Sequence, residues 1–153
     1  MIPDPTDPAV NPMTLTDAQW KEILPRFEYQ ILRHAATERA GTGRYLNQEG
    51  PGAYHCVGCG NYLYDGKHKF HSGCGWPSFF KAVAPERITT HRDNSYGMVR
   101  VEMRCARCGG HLGHIFNDAP FTPTGNRHCV NGFALIFVPE GDDVRDVIAQ
   151  HRS

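Results

Sequence analysis

Apolar residues along the chain follow two different periods, and the point where the period changes divides the molecule. Thr16 followed three residues later by Gln19 has the form of a capping box, and Trp20, Ile23 and Leu24 then share one face. A short helix is predicted there, stopping before Pro25. Over Phe27 to Arg39, the residues Phe27, Ile31 and Ala35 recur at steps of four, with Leu32 and Ala36 alongside. This predicts a second helix packed on the main body and ended by Gly41 and Gly43. From Gly52 onward the period shortens. Tyr62-Leu63-Tyr64, Tyr96 to Met103 and Phe133 to Val138 are short apolar runs bounded by Gly, Pro, Asn and Asp, the pattern of strands joined by tight turns. No helix of ordinary length fits between them. Val144, Val147 and Ile148 allow a last helical turn or a frayed tail. The expectation is a flexible leader over residues 1–13, followed by one domain over 14–153. That domain comprises a helical arm (14–43) and a mainly β, antiparallel body (52–138).

Composition sharpens this picture in three ways. A chain of 153 residues is one domain, and its 16 Gly and 11 Pro suit turns and strands better than a helical bundle. Sixteen basic against sixteen acidic side chains leave no net charge, which argues against nucleic acid or an anionic membrane face as a partner. Met1 to Pro12 carries Asp4, Asp7 and four prolines in place of a basic and then apolar leader, and no apolar run approaches the ~20 residues of a membrane span. A cytoplasmic location is expected. In that reducing compartment six cysteines are ligands or catalysts rather than permanent disulfides.

Four of the six form a repeat, Cys56-Val57-Gly58-Cys59-Gly60 and Cys105-Ala106-Arg107-Cys108-Gly109. Random placement of six cysteines gives roughly 0.2 such C-x-x-C pairs, so two pairs are a signal. Two thiolates three apart chelate one ion from a tight turn, and four close a tetrahedral shell suited to one structural Zn²⁺ with no position left for a substrate. A redox dithiol is the other reading of such a pair, but no βαβ pattern surrounds either. The metal would close a loop of 45 intervening residues between Cys59 and Cys105.

Cys74 and Cys129 remain. Gly73 and Gly75 flank Cys74 and leave its thiol mobile and unshielded. If Arg127-His128-Cys129-Val130-Asn131 is extended, Arg127, Cys129 and Asn131 share a face, and a guanidinium beside a thiol raises its thiolate fraction. Burial as an inert apolar cysteine is the alternative for each. His111, His114 and Asp118 form a further cluster that could supply protons or bind a metal.

Gly73-Cys74-Gly75-Trp76-Pro77-Ser78-Phe79, then Cys105-x-x-Cys108 running into His111-Leu112-Gly113-His114-x-Phe116-x-Asp118, then Pro123-Thr124-Gly125-x-Arg127-x-Cys129-x-Asn131, resembles the class B methionine sulfoxide reductases. The resemblance runs from about Tyr54 to Phe137. It implies two antiparallel β-sheets with short helices and reduction of the R epimer of methionine sulfoxide, in proteins or free. It further implies that Cys129 is the nucleophile, Cys74 the resolving cysteine and thioredoxin the reductant. Cys56, Cys59, Cys105 and Cys108 would hold the structural zinc, and Trp76 would wall the pocket for the substrate methyl group. His111, His114, Asp118, Arg127 and Asn131 would surround the sulfoxide oxygen and the nucleophile. Either histidine could be the acid, and His114 is favoured because Asp118 is near enough in sequence to orient it. The chain departs from the family pattern at Ala40-Gly41-Thr42-Gly43, Ala119, His128 and Gly132. Two rivals follow from the residues alone: a zinc-ribbon binding module, which leaves Cys74 and Cys129 unused, and a zinc hydrolase built on His111, His114 and Asp118.

Overall fold

A computed structural model describes residues 1–153. Helices α1 (Asp17–Ile23) and α2 (Arg26–His34) precede nine strands, and α3 (Val144–Arg152) closes the chain. The strands are β1 (Gly52–Cys56), β2 (Tyr62–Asp65), β3 (Lys69–Phe70), β4 (Ser78–Phe79), β5 (Ile88–Asp93), β6 (Arg100–Cys105), β7 (His111–Ala119), β8 (Gly125–Val130) and β9 (Leu135–Pro139). They form two antiparallel sheets, ordered β2-β1-β9 and β3-β4-β8-β7-β6-β5. No helix is long and apolar enough to cross a membrane.

The core lies between the sheets, where Tyr54, Leu63, Tyr64, Phe79, Met103, Leu112, Val130 and Leu135 are fully buried. Trp20, Ile31 and Leu32 bring the helices onto it, each such side chain contributing about 1.5–3 kcal/mol through burial. The capping box of α1 is present, with Gln19 N–H donating to Thr16 Oγ1 and Thr16 N–H to Gln19 Oε1. The second helix ends earlier than its apolar pattern predicts. Ala35 adopts a left-handed φ of 53°, and the following residues leave the helix to line the functional pocket. Its register also differs, because Phe27 stays exposed while Glu28 turns inward to an ion pair with Arg44 and a hydrogen bond with His151. The tail is a full helix, held by Ile148 in the core and by Arg152 donating to the carbonyls of Val57 and Gly58.

Residues 1–13, expected as a flexible leader, are tied to the body. The Arg107 guanidinium donates to the carbonyls of Pro5, Asp7, Val10 and Cys59. Composition gives no warning of this, since the partner is about a hundred residues away and the acceptors are backbone oxygens.

Candidate active site and metal centre

The two cysteine repeats are also a structural repeat. In each, the Gly after the second Cys takes a positive φ and returns a hydrogen bond to the first Cys: Gly60 N–H to the Cys56 carbonyl and Gly109 N–H to the Cys105 carbonyl, both 2.8 Å. One knuckle turns β1 into β2 and the other turns β6 into β7, so each sheet supplies one pair. All four sulfurs lie within 4.8 Å of one another and are buried, with Sγ–Sγ distances of 3.7 Å for Cys56 and Cys108 and 3.6 Å for Cys59 and Cys105. A tetrahedral shell with bonds of about 2.3 Å has edges of about 3.8 Å, so this cluster fits a metal ion.

Cys129 stands on β8, flanked by β4 and β7, directly opposite Ser78 on one side and His114 on the other. Opposite residues in antiparallel strands face the same way, so this row aims both Cys129 and His114 into one pocket of about 200 Å³. Arg127 and Asn131 line it too, as the period of two predicts. The segment carrying Cys74 runs into β4 and is pinned by Val130 N–H to the Pro77 carbonyl, 3.0 Å. It thereby reaches across to bring Cys74 Sγ within 3.7 Å of Cys129 Sγ. Trp76 walls the same pocket, its indole plane fixed by Nε1–H donating to the Glu38 carbonyl at 3.0 Å.

The two sulfurs are within hydrogen-bonding distance of each other, so the ionisation of one bears on the other. The thiol of Cys129 and the hydroxyls of Ser72 and Ser78 converge on Cys74 and outweigh its partial burial, lowering its pKa to about 4. That anion, with burial, pushes the Cys129 thiol up. Arg127 opposes this rise only in part, because its guanidinium is already committed to both carboxylate oxygens of Asp118, at 3.0 and 2.9 Å. The pair is a single acid whose first proton leaves readily.

Asp118 therefore does not orient His114. A bulge in β7 between Phe116 and Ala119 sends Asp118 to Arg127, which stacks over the Phe116 ring at 4.4 Å. His114 Nε2 instead meets Asp93 Oδ2 at 2.7 Å, a partner on β5 that the sequence reading missed. No local signal joins residues 93 and 114; only the β5-β6-β7 register does. A second bulge, at Leu112, matters as much. Residues three apart on a regular strand face opposite ways, but the register shift between Met103 and Arg104 turns His111 to the face of His114, with ring centroids 5.6 Å apart. His111 is buried, its Nδ1 2.6 Å from Glu102 Oε2, and burial pushes its pKa down. Of the two rings only His114 lines the pocket. The hydrolase constellation is thus not assembled, since each of its three members faces a different ionic partner.

Asn131 serves as a tie as well as a lining residue: its Nδ2 donates to the Leu112 carbonyl and its Oδ1 accepts from Glu38 N–H, both 3.0 Å. Glu38 is a second residue the sequence reading passed over. It is buried, accepts from Phe133 N–H at 2.9 Å, and so binds the arm, Trp76 and the turn after Cys129 together. The arm's departures from the family pattern have a structural counterpart. Gly41 N–H donates to the Gly75 carbonyl at 2.7 Å, backing the Cys74 loop. A Cβ on Gly132 would stand 1.9 Å from the Arg44 carbonyl, so Gly there matches the arm's path. His128 accepts the buried aromatic position, its Nδ1 2.9 Å from the Tyr64 hydroxyl.

Gly113 tests how closely β7 and β8 must approach. A Cβ there would lie 1.9 Å from the Cys129 carbonyl oxygen, a backbone atom with nowhere to go. Gly113→Ala is expected to destabilise the fold by about 3 kcal/mol or more, read from chemical denaturation midpoints. A variant within about 0.5 kcal/mol of the parent would contradict the packing described.

Two contacting sulfurs in an open pocket, walled by an indole and an imidazole, offer the chemistry of a thiol-dependent oxidoreductase. The SelR domain matches residues 24–139. The chain is 50% identical over 136 residues to the peptide methionine sulfoxide reductase MsrB of Agrobacterium fabrum, covering 89% of this chain and 98% of that one. It is 48% identical over 134 residues to the MsrB of Methylibium petroleiphilum, covering 88% and 96%, and 48% identical over 126 residues to that of Burkholderia thailandensis, covering 82% and 88%. The chain belongs to the SelR-domain family of methionine sulfoxide reductases.

Proposed function

We propose that this protein reduces the R epimer of methionine sulfoxide in oxidised polypeptides, with Cys129 as nucleophile, Cys74 as resolving thiol and thioredoxin or a similar dithiol as electron donor. The observation that carries the reading is the 3.7 Å contact between Cys74 and Cys129 inside a pocket shared with Trp76 and His114. A proton passing from Cys129 to Cys74 across that contact leaves the thiolate on Cys129. The thiolate attacks the sulfoxide sulfur while protonated His114 delivers a proton to the oxygen, because oxide cannot leave unprotonated. Methionine departs and Cys129 becomes a sulfenic acid. The Cys74 thiol then displaces water to form the Cys74–Cys129 disulfide, and the external dithiol reduces it by exchange. Arg127, Asp118 and Asn131 hold β7 and β8 around the reacting sulfur, and His111 backs the His114 ring.

The sulfoxide sulfur carries an oxygen, a methyl, the side-chain methylene and a lone pair. Attack from Cys129, methyl contact on Trp76 and oxygen contact on His114 together fix three directions, so one epimer fits. An epimer-resolved assay with dithiothreitol is expected to consume only the R form. Trp76→Ala is expected to lower kcat/KM for it by roughly 10- to 200-fold. Equal consumption of both epimers by the parent enzyme would overturn the assignment.

The four paired cysteines are proposed to hold one structural Zn²⁺ per chain. A buried cluster of thiolates requires a compensating cation, and the tetrahedral spacing of these sulfurs supports zinc. Zinc here supplies cross-linking of the sheets and takes no part in the reaction.

A further inference from the structure

We propose that Asp93 is the residue that positions His114 for proton delivery, its carboxylate being fixed in turn by the Ser95 amide and Arg100. The proposal rests on the reading of His114 as the acid and deepens it. His114 Nε2 is 2.7 Å from Asp93 Oδ2, which leaves Nδ1 free of any protein partner. A ring held at Nε2 by a carboxylate carries its exchangeable proton at Nδ1 in the charged form only, so the ring presents either one defined donor or one defined acceptor to the pocket. The hydrogen bond also fixes the plane of the ring, which the strand backbone does not do alone.

The carboxylate is itself held on three sides. Asp93 Oδ1 accepts from Ser95 N–H at 2.9 Å, and Arg100 Nη2 lies 3.3 Å from Oδ2. Asp93 and Arg100 are opposite residues where β5 pairs with β6, so the hairpin register delivers both at once. The Ser95 N–H reaches back to Asp93 within two residues, and the chain then turns toward β6 through Tyr96, which adopts a left-handed φ of 58°. The Ser95 amide, then His114, hold the carboxyl well below the usual carboxylate range, so it is an anion at all working pH. The other charged or titratable groups facing His114 are Arg100 and Glu102 on β6, His111 on β7, Arg127 and Cys129 on β8, and Cys74 on the loop before β4.

Asp93→Asn keeps the size of the side chain and removes its charge. In a single-turnover assay with the reduced full-length protein and no external reductant, it is expected to slow methionine formation by about 10- to 100-fold. Asp93→Glu should recover part of the rate. If the parent protein forms methionine while Asp93→Asn matches it in rate, the proposal is wrong and the functional reading stands. A slower Asp93→Asn that Asp93→Glu does not relieve marks a merely structural role and also overturns it. A parent protein that forms no methionine sinks both. Should Asp93→Asn fail to fold, a long-range proton–nitrogen spectrum of the parent decides. A neutral His114 protonated at Nε2 is expected, and one protonated at Nδ1 refutes the assignment.

Discussion

Cys129→Ser is expected to form no methionine with thioredoxin, dithiothreitol or no reductant, a loss of more than about 10⁴-fold, whereas Cys74→Ser still forms one methionine per chain. A serine hydroxyl is a far weaker acid and a poorer nucleophile than a thiol at neutral pH, so the proposed first step needs the sulfur. Cys74 is needed only afterwards, to expel water from the sulfenic acid, so its loss halts thioredoxin-dependent cycling after the first turnover. The resting arrangement adds a test on pH. In the parent the sulfur pair sheds its first proton near pH 4, since Cys74 is hydrogen bonded by Cys129, Ser72 and Ser78. Alkylation at the pair, followed by mass spectrometry, should therefore persist down to about that pH and fade only below it. In Cys74→Ser that joint acid is gone, and Cys129 must ionise as a single thiol beside Arg127. Its alkylation and its first turnover should then appear only at distinctly higher pH. Equal loss of the first turnover in both variants would contradict the division between nucleophile and resolving thiol.

Removal of the metal should unfold the protein. The knuckle at Cys56 and Cys59 belongs to the three-stranded sheet and that at Cys105 and Cys108 to the six-stranded one, so the proposed ion is a clasp between layers. Structural zinc sites bind with about 10–16 kcal/mol, comparable to the whole stability of a domain this size. Without the ion, four buried sulfurs would have to stay protonated and packed side by side, and the arginines aimed at the knuckle carbonyls, Arg33, Arg107 and Arg152, would lose their fixed acceptors. Chelation at neutral pH is expected to abolish the cooperative thermal transition and the activity together, and Cys105→Ser to prevent accumulation of folded protein. Metal analysis should find one zinc per chain. A demetallated protein that keeps its transition and its activity would remove the metal from the account.

How much could be read without coordinates differed from element to element, for identifiable reasons. The capping box of α1 was legible because a cap is made within four residues. The strand at Tyr62 to Asp65 was legible because its apolar run is bounded by turn residues on both sides. The run from Tyr96 to Met103 was only half legible: Tyr96 to Val99 lie outside the strand, because the turn that brings Ser95 to Asp93 claims them first. The end of α2 was misplaced because Thr37 and Glu38 are needed at the pocket, a demand made by strands a hundred residues later.

The sequence by itself determined the two knuckles and the alignment of Arg127, Cys129 and Asn131, because each depends on spacings of two or three residues along one local conformation. The carboxylates that His111 and His114 meet, and the anchoring of the first residues by Arg107, were settled only in three dimensions. The former depend on strand register and on two bulges that turn side chains from one face to the other, the latter on a contact between segments about a hundred residues apart. A bulge changes facing by inserting a single residue, and nothing in the local sequence specifies which residue of a strand will be the inserted one.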